Sequence, residues 1–335
     1  MAMAGPTPTS RRVRWGVMGT GGIASAFAAD LALSERGDIV AVGSRRAETA
    51  EAFGERFGIP NRHEGYAALV EDPDVDVVYV ATPAPMHIDG AALALRAGKA
   101  VLVEKPFTMD AAQARSLVAL AREASLFLME AMWTRFLPHV VAIRELLAGG
   151  ALGRIVAFTA DHGQYFDDPA HRLFAPELGG GALLDLGVYP VSFASMVLGT
   201  PDRVLSLVSP ALHGVDGQTS LLLGYPSGAH ALLNCMLSAK TPTRAAVIGT
   251  DARIEIDGDF YRPSAFTLIP RLGPPTRCEP AHSGNGLRHQ ADEVARCLDE
   301  GLLESPVMPL DESVSIMATM DEARAGAAAA AGEHG

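Results

Sequence analysis

The chain has 335 residues, 48% of them hydrophobic and 20% charged, enough for two domains and a sizeable core. Its 27 basic and 39 acidic residues give a formal net charge of −12, which disfavours nucleic acid or an anionic membrane as the main partner. Three scattered cysteines, Cys235, Cys278 and Cys297, form no C-x-x-C pair. That spacing argues against a disulfide framework or structural zinc and points to a reducing, cytoplasmic setting.

No run reaches ~18 uninterrupted apolar residues, so no membrane span is expected. Arg11, Arg12 and Arg14 come with no apolar h-region, which is unlike a secretory signal. Residues 1–10 read as a loose tail. From Val13 an apolar run predicts a buried strand. It leads into Gly19-Thr20-Gly21-Gly22-Ile23-Ala24, a G-x-G-x-x-A turn. Gly19 permits the tight turn, Gly21 lets the backbone approach a pyrophosphate, and Ala24 lets helix and strand pack closely. Ile23, Phe27 and Leu31 follow at helical spacing, and the helix start favours an anion. A second strand is predicted over Ile39–Val42 and a helix over Ala47–Phe57, stopped by Gly58 and Pro60. Then come a short helix at Tyr66–Val70, a strand at Val75–Ala81 and a helix at His87–Ala97. A strand at Ala100–Val103, a helix capped by Asp110 and running to Ala124, and a strand at Leu126–Met129 complete the first half. The alternation predicts a doubly wound parallel sheet.

Beyond Trp133 the pattern changes. A helix is predicted over Pro138–Ala148, a strand over Ile155–Asp161 and a helix over Ala182–Leu198. Six short strands follow: Arg203–Val208, Gln218–Tyr225, His230–Leu237, Ala245–Ile248, Arg253–Asp257 and Ala265–Leu268. Two helices, Leu287–Glu300 and Leu310–Ala329, close the chain. The Gly, Pro and Asp turns between the strands suit an antiparallel sheet. The expected architecture is thus α/β: a doubly wound dinucleotide-binding domain over 11–133 and an α+β domain over 134–330.

In a dinucleotide fold, a carboxylate at the end of the second strand binds the 2′-hydroxyl of NAD, whereas Arg accommodates the 2′-phosphate of NADP. Here that corner reads Ser44-Arg45-Arg46. Cations are unfavourable at a helix N-terminus, so their placement points to NADP rather than NAD. Strand ends facing the cofactor also carry Thr82-Pro83, His87 and Glu104-Lys105-Pro106. His87 fits either a cofactor or substrate contact or a hydrogen-bonded structural histidine. Asp161, His162, Asp167, Asp168 and His171 fit no standard metal spacing, so no metal is expected.

Gly19–Ala24, Thr82-Pro83, His87 and Glu104-Lys105-Pro106 together resemble the glucose–fructose oxidoreductase/inositol dehydrogenase (Gfo/Idh/MocA) family. The resemblance continues through Gly179–Tyr189, similar to the family's G-G-x-x-x-D-x-G-x-x-(H/Y) element. It is closest to the branch of dimeric dihydrodiol dehydrogenases and NADP-dependent D-xylose dehydrogenases. The carriers there are Glu130–Phe136, His171–Phe174 and Glu304–Pro309. The resemblance implies a Rossmann domain followed by a domain with a large, mostly antiparallel sheet. It implies hydride transfer between a nicotinamide and a secondary or anomeric hydroxyl carbon, with Lys105, Asp185 and Tyr189 as the catalytic group. Ala84 departs from the Asn that many relatives carry after Thr-Pro.

Such chemistry needs a base for the alcohol proton. A phenol titrates near ~10, and a neighbouring ammonium is expected to lower that value. Asp185 and Tyr189 are spaced i, i+4, on one side of a helix. Trp133, Arg135 and Arg172 suit a sugar-sized pocket, although an ion pair within the fold explains either arginine equally well. A sugar such as D-xylose or a cyclic trans-diol is the expected substrate. A regulator that senses NADP without turnover is the rival, and Lys105, Asp185 and Tyr189 together argue against it. A homodimer or homotetramer through the second sheet is also expected, since an apolar open sheet face tends to be covered.

Overall fold

The computed structural model describes residues 12–332; the expected N-terminal tail, with Arg11, lies outside the described residues. In the first half, strands β1 (Val13–Met18), β2 (Gly37–Ser44), β3 (Asn61–Glu64), β4 (Val77–Val80), β5 (Ala100–Glu104) and β6 (Leu128–Ala131) form one sheet. Its order is β3-β2-β1-β4-β5-β6, and every pairing is parallel. Helices α1 (Gly22–Leu31), α2 (Ala47–Phe57), α3 (Tyr66–Glu71), α4 (His87–Arg96) and α5 (Ala111–Ala124) connect them. All residues of β4, β5 and β6 are buried. This is what a parallel sheet covered on both faces requires. The strand order reverses between β1 and β4, so a crevice opens beyond their carboxyl ends.

Two details differ from expectation. The strand β3 adds a sixth member to the sheet. Its sequence, Asn-Arg-His-Glu, carries no apolar alternation because it lies at the edge. β6 is displaced two residues toward the C-terminus, so that it delivers Trp133 almost directly into the crevice.

The second half begins with α6 (Pro138–Ala148) and β7 (Ile155–Gly163). An eight-stranded sheet is completed by β8 (Arg203–Pro210), β9 (Asp216–Gly224), β10 (His230–Met236), β11 (Ala245–Gly249), β12 (Ala252–Ile256), β13 (Phe266–Pro270) and β14 (Thr276–Cys278). Their order is β14-β13-β12-β11-β7-β10-β9-β8. Only β7–β10 is parallel, and the short β14 is an addition to the predicted set. Helix α7 (Val188–Leu198) is buried against the inner face, with Phe158 and Phe193 stacked at 5.3 Å. The stretch Pro176–Leu198 is long and apolar enough to cross a membrane by composition, yet 72% of its most apolar window is buried inside the protein. Its apolarity is therefore used by the core. Helices α8 (Arg288–Asp299) and α9 (Leu310–Gly332) return to the first domain. Asp30 of α1 binds the backbone N–H groups of Asn285 and Leu287.

Candidate active site

At the G-x-G-x-x-A turn, Gly19 has φ +105, and a Cβ there would lie 2.9 Å from the Ala81 carbonyl oxygen. Only glycine meets both demands. A Cβ on Gly21 or Gly22 would meet nothing within 4 Å, so the space above the turn is open. Helix α1 has no side-chain cap and no acidic residue in its first turn. Its leading N–H groups are free for an anion, and the turn fits a dinucleotide pyrophosphate.

Beside it, Thr20, Ser44, Arg45, Arg46 and Thr49 line a pocket of about 470 Å³. The Ser44 and Thr49 hydroxyls are 2.5 Å apart. The described residues contain no ion pair involving Arg45 or Arg46. Thr49, one turn into α2, belongs to this cradle and is not singled out by the sequence.

A larger cleft of about 520 Å³ runs from Gly21, Gly22 and Ile23 past Thr82, Pro83, His87, Glu104 and Lys105 to Trp133, Arg172, Asp185 and Tyr189. The two domains thus contribute to one cavity. Lys105, at the end of β5, is joined to Pro106 by a cis peptide bond. Its Nζ donates to the Asp185 carbonyl oxygen at 3.0 Å and to Asp185 Oδ1 at 3.3 Å. It also sits 4.8 Å from the centre of the Tyr189 ring. Arg172 donates to the same Oδ1 at 2.9 Å, and Trp133 Nε1–H donates to the Tyr189 hydroxyl oxygen at 3.0 Å.

The helix that carries Asp185 and Tyr189 is not regular. Leu183–Gly187 forms a π-helical turn before α7. Pro190 has no N–H to return to the carbonyls of Asp185 and Leu186, the partners that π and α geometry would prescribe. Lys105 takes the first carbonyl, and His162 Nδ1 takes the second at 3.2 Å. Asp216 holds the start of this turn through the Leu183 N–H at 2.6 Å. Gly181, with φ +119, lets it approach; a Cβ there would lie 2.0 Å from Asp216 Oδ1.

Burial disfavours the charge on Lys105, but Asp185, Tyr189 and Glu104 outweigh it and raise its pKa. Asp185 is held down at about 2: burial opposes its charge, and Lys105 and Arg172 overcome that. For Tyr189 the outcome corrects the sequence expectation. Lys105 and the Trp133 hydrogen bond do favour the phenolate, yet burial is the larger influence and leaves the phenol above its ordinary value. Burial likewise lifts Glu104 to about 7, against the Tyr79 hydrogen bond at 2.5 Å.

His87 lines the cleft, but both ring nitrogens face backbone carbonyls, Pro106 at 2.8 Å and Thr82 at 2.9 Å. Burial pushes it down to about 4. The neutral ring donates to one of these carbonyls, and the other carbonyl closes off its second nitrogen, so neither nitrogen is free for a ligand. Arg135 is buried in an ion pair with Glu312 at 2.7 Å and bonds Ser192; it lies outside the cleft. The described residues contain no cluster of three or more potential metal ligands. His162, Gln164, Tyr261 and Arg262 also line the cleft. Of these the sequence drew attention only to His162, in the discarded metal pattern.

Comparison with known proteins agrees with this geometry. Residues 13–132 match the profile of the Gfo/Idh/MocA oxidoreductase family, NAD-binding Rossmann fold, and residues 140–255 match a Gfo/Idh/MocA C-terminal domain. Trans-1,2-dihydrobenzene-1,2-diol dehydrogenase of Mus musculus is 38% identical over 93% of this chain and 96% of its own. D-xylose 1-dehydrogenase (NADP(+)) of Hypocrea jecorina is also 38% identical, over 93% and 91%. Among solved structures, aldose-aldose oxidoreductase from Caulobacter crescentus superposes with a TM-score of 0.88 at 28% identity, covering 96% of this chain and 98% of that one. A 3-ketoreductase from Actinomadura kijaniata, in complex with NADP and TDP-benzene, gives 0.83 at 30% identity over 94% and 98%.

Proposed function

The chain belongs to the Gfo/Idh/MocA oxidoreductase family, and on that premise we propose that it is an NADP-dependent dehydrogenase of a sugar such as D-xylose or of a cyclic trans-diol. That it is an NAD(P)-binding oxidoreductase acting on CH–OH groups follows from the family itself. The observation that carries the finer reading is the meeting of Lys105 from one domain with Asp185 and Tyr189 from the other, in a cleft continuous with the glycine turn.

The Gly19–Ile23 turn and Thr82-Pro83 would hold the dinucleotide, and Ser44, Arg45, Arg46 and Thr49 would hold its 2′-phosphate. A bound NADP+ would supply the acceptor for the hydride of the alcohol carbon. Tyr189 accepts the alcohol proton at its phenolate oxygen, and in carbonyl reduction it returns that proton. Lys105, fixed by the Asp185 carbonyl and carboxylate, opposes the burial that disfavours the phenolate. The Trp133 N–H stabilises the same oxygen. Arg172 and Asp185 flank the substrate. The same reading makes the protein a cytoplasmic homo-oligomer assembled through its second sheet.

Steady-state absorbance at 340 nm over a panel of sugars and diols, with NADP and with NAD, tests the proposal. NADP-linked turnover of at least one sugar or trans-diol is the expected outcome. NAD preference would overturn the cofactor assignment, and no turnover of any alcohol would overturn the reaction.

A further inference from the structure

On the second-domain side of the cleft, three polar residues form a chain whose direction is set by its first member. Strand alternation puts His162 on the inner face of β7, with Gln164 two residues on. His162 is fully buried, and its Nδ1 faces the Leu186 carbonyl. A carbonyl only accepts, so Nδ1 carries the proton. The buried imidazole is neutral, so its Nε2 is an acceptor. Gln164 must then turn its NH2 group toward that nitrogen, which lies 3.1 Å away. The same NH2 group donates to the Tyr261 hydroxyl oxygen at 3.3 Å. Two groups remain without partners among the described residues: the Tyr261 O–H hydrogen and Gln164 Oε1. Tyr261 is held rigidly. It stacks on His162 at 4.4 Å, and its ring lies 5.0 Å from that of Tyr189 and 6.1 Å from that of Trp133. The unpaired donor and acceptor therefore border the space where the reacting hydroxyl must lie.

We propose that His162, Gln164 and Tyr261 form a hydroxyl-reading wall that offers one donor and one acceptor to the substrate and so selects a polyhydroxylated sugar over a diol on an otherwise apolar ring. This inference rests on the dehydrogenase reading above and narrows its substrate class. The one further hydroxyl of a vicinal diol satisfies both groups only if the ring fixes it between them, donating to Gln164 Oε1 and accepting from Tyr261; elsewhere it leaves part of the wall unpaired when water is expelled. A pentose in ring form has further hydroxyls for both groups. A site built around hydrogen bonds discriminates strongly against a ligand that fails to make them. Gln164 and Tyr261 act on the substrate directly; His162 is a positioning residue that acts through Gln164.

The test is the ratio of kcat/KM for D-xylose to that for trans-cyclohexane-1,2-diol, measured with NADP in wild type, Gln164→Leu, Tyr261→Phe and His162→Phe. Wild type is expected to favour the sugar, and each variant to lower the ratio by roughly tenfold or more. His162→Phe added to Gln164→Leu should change the ratio little further, because both act through one amide. Additive effects would mark His162 as merely structural and overturn its place in the wall. NADP affinity, followed by protein fluorescence, verifies that each variant is folded. An unchanged ratio in Gln164→Leu and Tyr261→Phe, or a wild type that favours the diol, overturns the wall and leaves the dehydrogenase reading standing. A wild type that oxidises neither alcohol, nor any other in the panel, removes that reading, and the wall falls with it.

Discussion

Lys105 and Tyr189 divide the work of moving one proton, and their separate removal is informative. Tyr189→Phe keeps the ring but loses the proton acceptor, so turnover should fall by about 10²–10⁴. Lys105→Met should cost at least as much, because it removes the main charge that favours the phenolate and leaves Asp185 with Arg172 as its one neutralising partner among the described residues. Both variants should bind NADP normally in a fluorescence titration, since neither residue is in the phosphate turn. Near-normal single-turnover hydride transfer in Tyr189→Phe would move the base to Lys105, because His87 has no ring nitrogen free. The raised pKa of Tyr189 also sets a direction with pH. Oxidation needs the phenolate, so its kcat/KM should climb through the alkaline range, while reduction uses the resting phenol and should prevail at neutral pH. A pH-independent oxidation rate would contradict this. At the other end of the cofactor, Arg45→Ala should raise KM for NADP and leave KM for NAD nearly unchanged, since each charge-assisted hydrogen bond contributes about 1.5–3 kcal/mol. Equal effects on both would count against the 2′-phosphate pocket.

Strands β5 and β6 lie side by side, and each carries a buried glutamate near its carboxyl end: Glu104 and Glu130. Burial lifts both to about 7. Glu130 Oε1 accepts the Phe107 N–H at 3.2 Å, and the Ser313 hydroxyl also favours its charged form, but burial outweighs both. A folded-state value above the ordinary one of 4.5 means that the folded protein binds more protons between pH 4.5 and 7. Stability must then fall as pH rises through that window, by on the order of 3 kcal/mol for each group. Asp185 has the opposite sign: its depressed value contributes stability above the ordinary carboxylate range that is lost only as pH falls toward 2. Glu130→Gln should therefore flatten the decline in Tm between pH 5 and 7.5 in cofactor-free protein; an unchanged slope would place the titration elsewhere. The strands of this sheet were legible from their short apolar runs between turn signals, and Lys105 was singled out by the resemblance that Glu104-Lys105-Pro106 carries. The edge strand β3 was not, because a polar edge carries no hydrophobic period. Nor was the π turn at Leu183–Gly187, although Pro190 marked where two carbonyls would need outside donors. Gln164 and Tyr261 come from a strand end and an irregular loop, and only tertiary packing brings them to Tyr189.

At the scale of the molecule, the second sheet has two unequal faces. The inner one is covered by α7. On the outer one, Leu205, Leu222 and Leu232 lie directly beside one another across β8, β9 and β10, and are 57%, 40% and 53% exposed. Leu207, two residues from Leu205 and on the same face, is 73% exposed. The row continues through Thr159, Ala246 and Glu255 on β7, β11 and β12, while the next row runs from Leu207 through Ser220, Asn234 and Asp161, so the leucines form a patch bordered by polar residues. Scattered leucines on a surface require no explanation, but an apolar row across three adjacent strands exposes a continuous surface to water. A second copy of the chain, turned by a two-fold axis, would bury this patch against its own equivalent. Light scattering should therefore find a dimer or tetramer at micromolar protein. Leu222→Lys, at the centre of the row, should shift that assembly toward monomer, because it brings like charges together at the axis of a two-fold contact. The substituted side chain points away from the core, so the far-ultraviolet circular dichroism of the variant should match wild type. A wild-type monomer would remove the sheet as an assembly surface. An oligomer indifferent to Leu222→Lys would move the contact to another face.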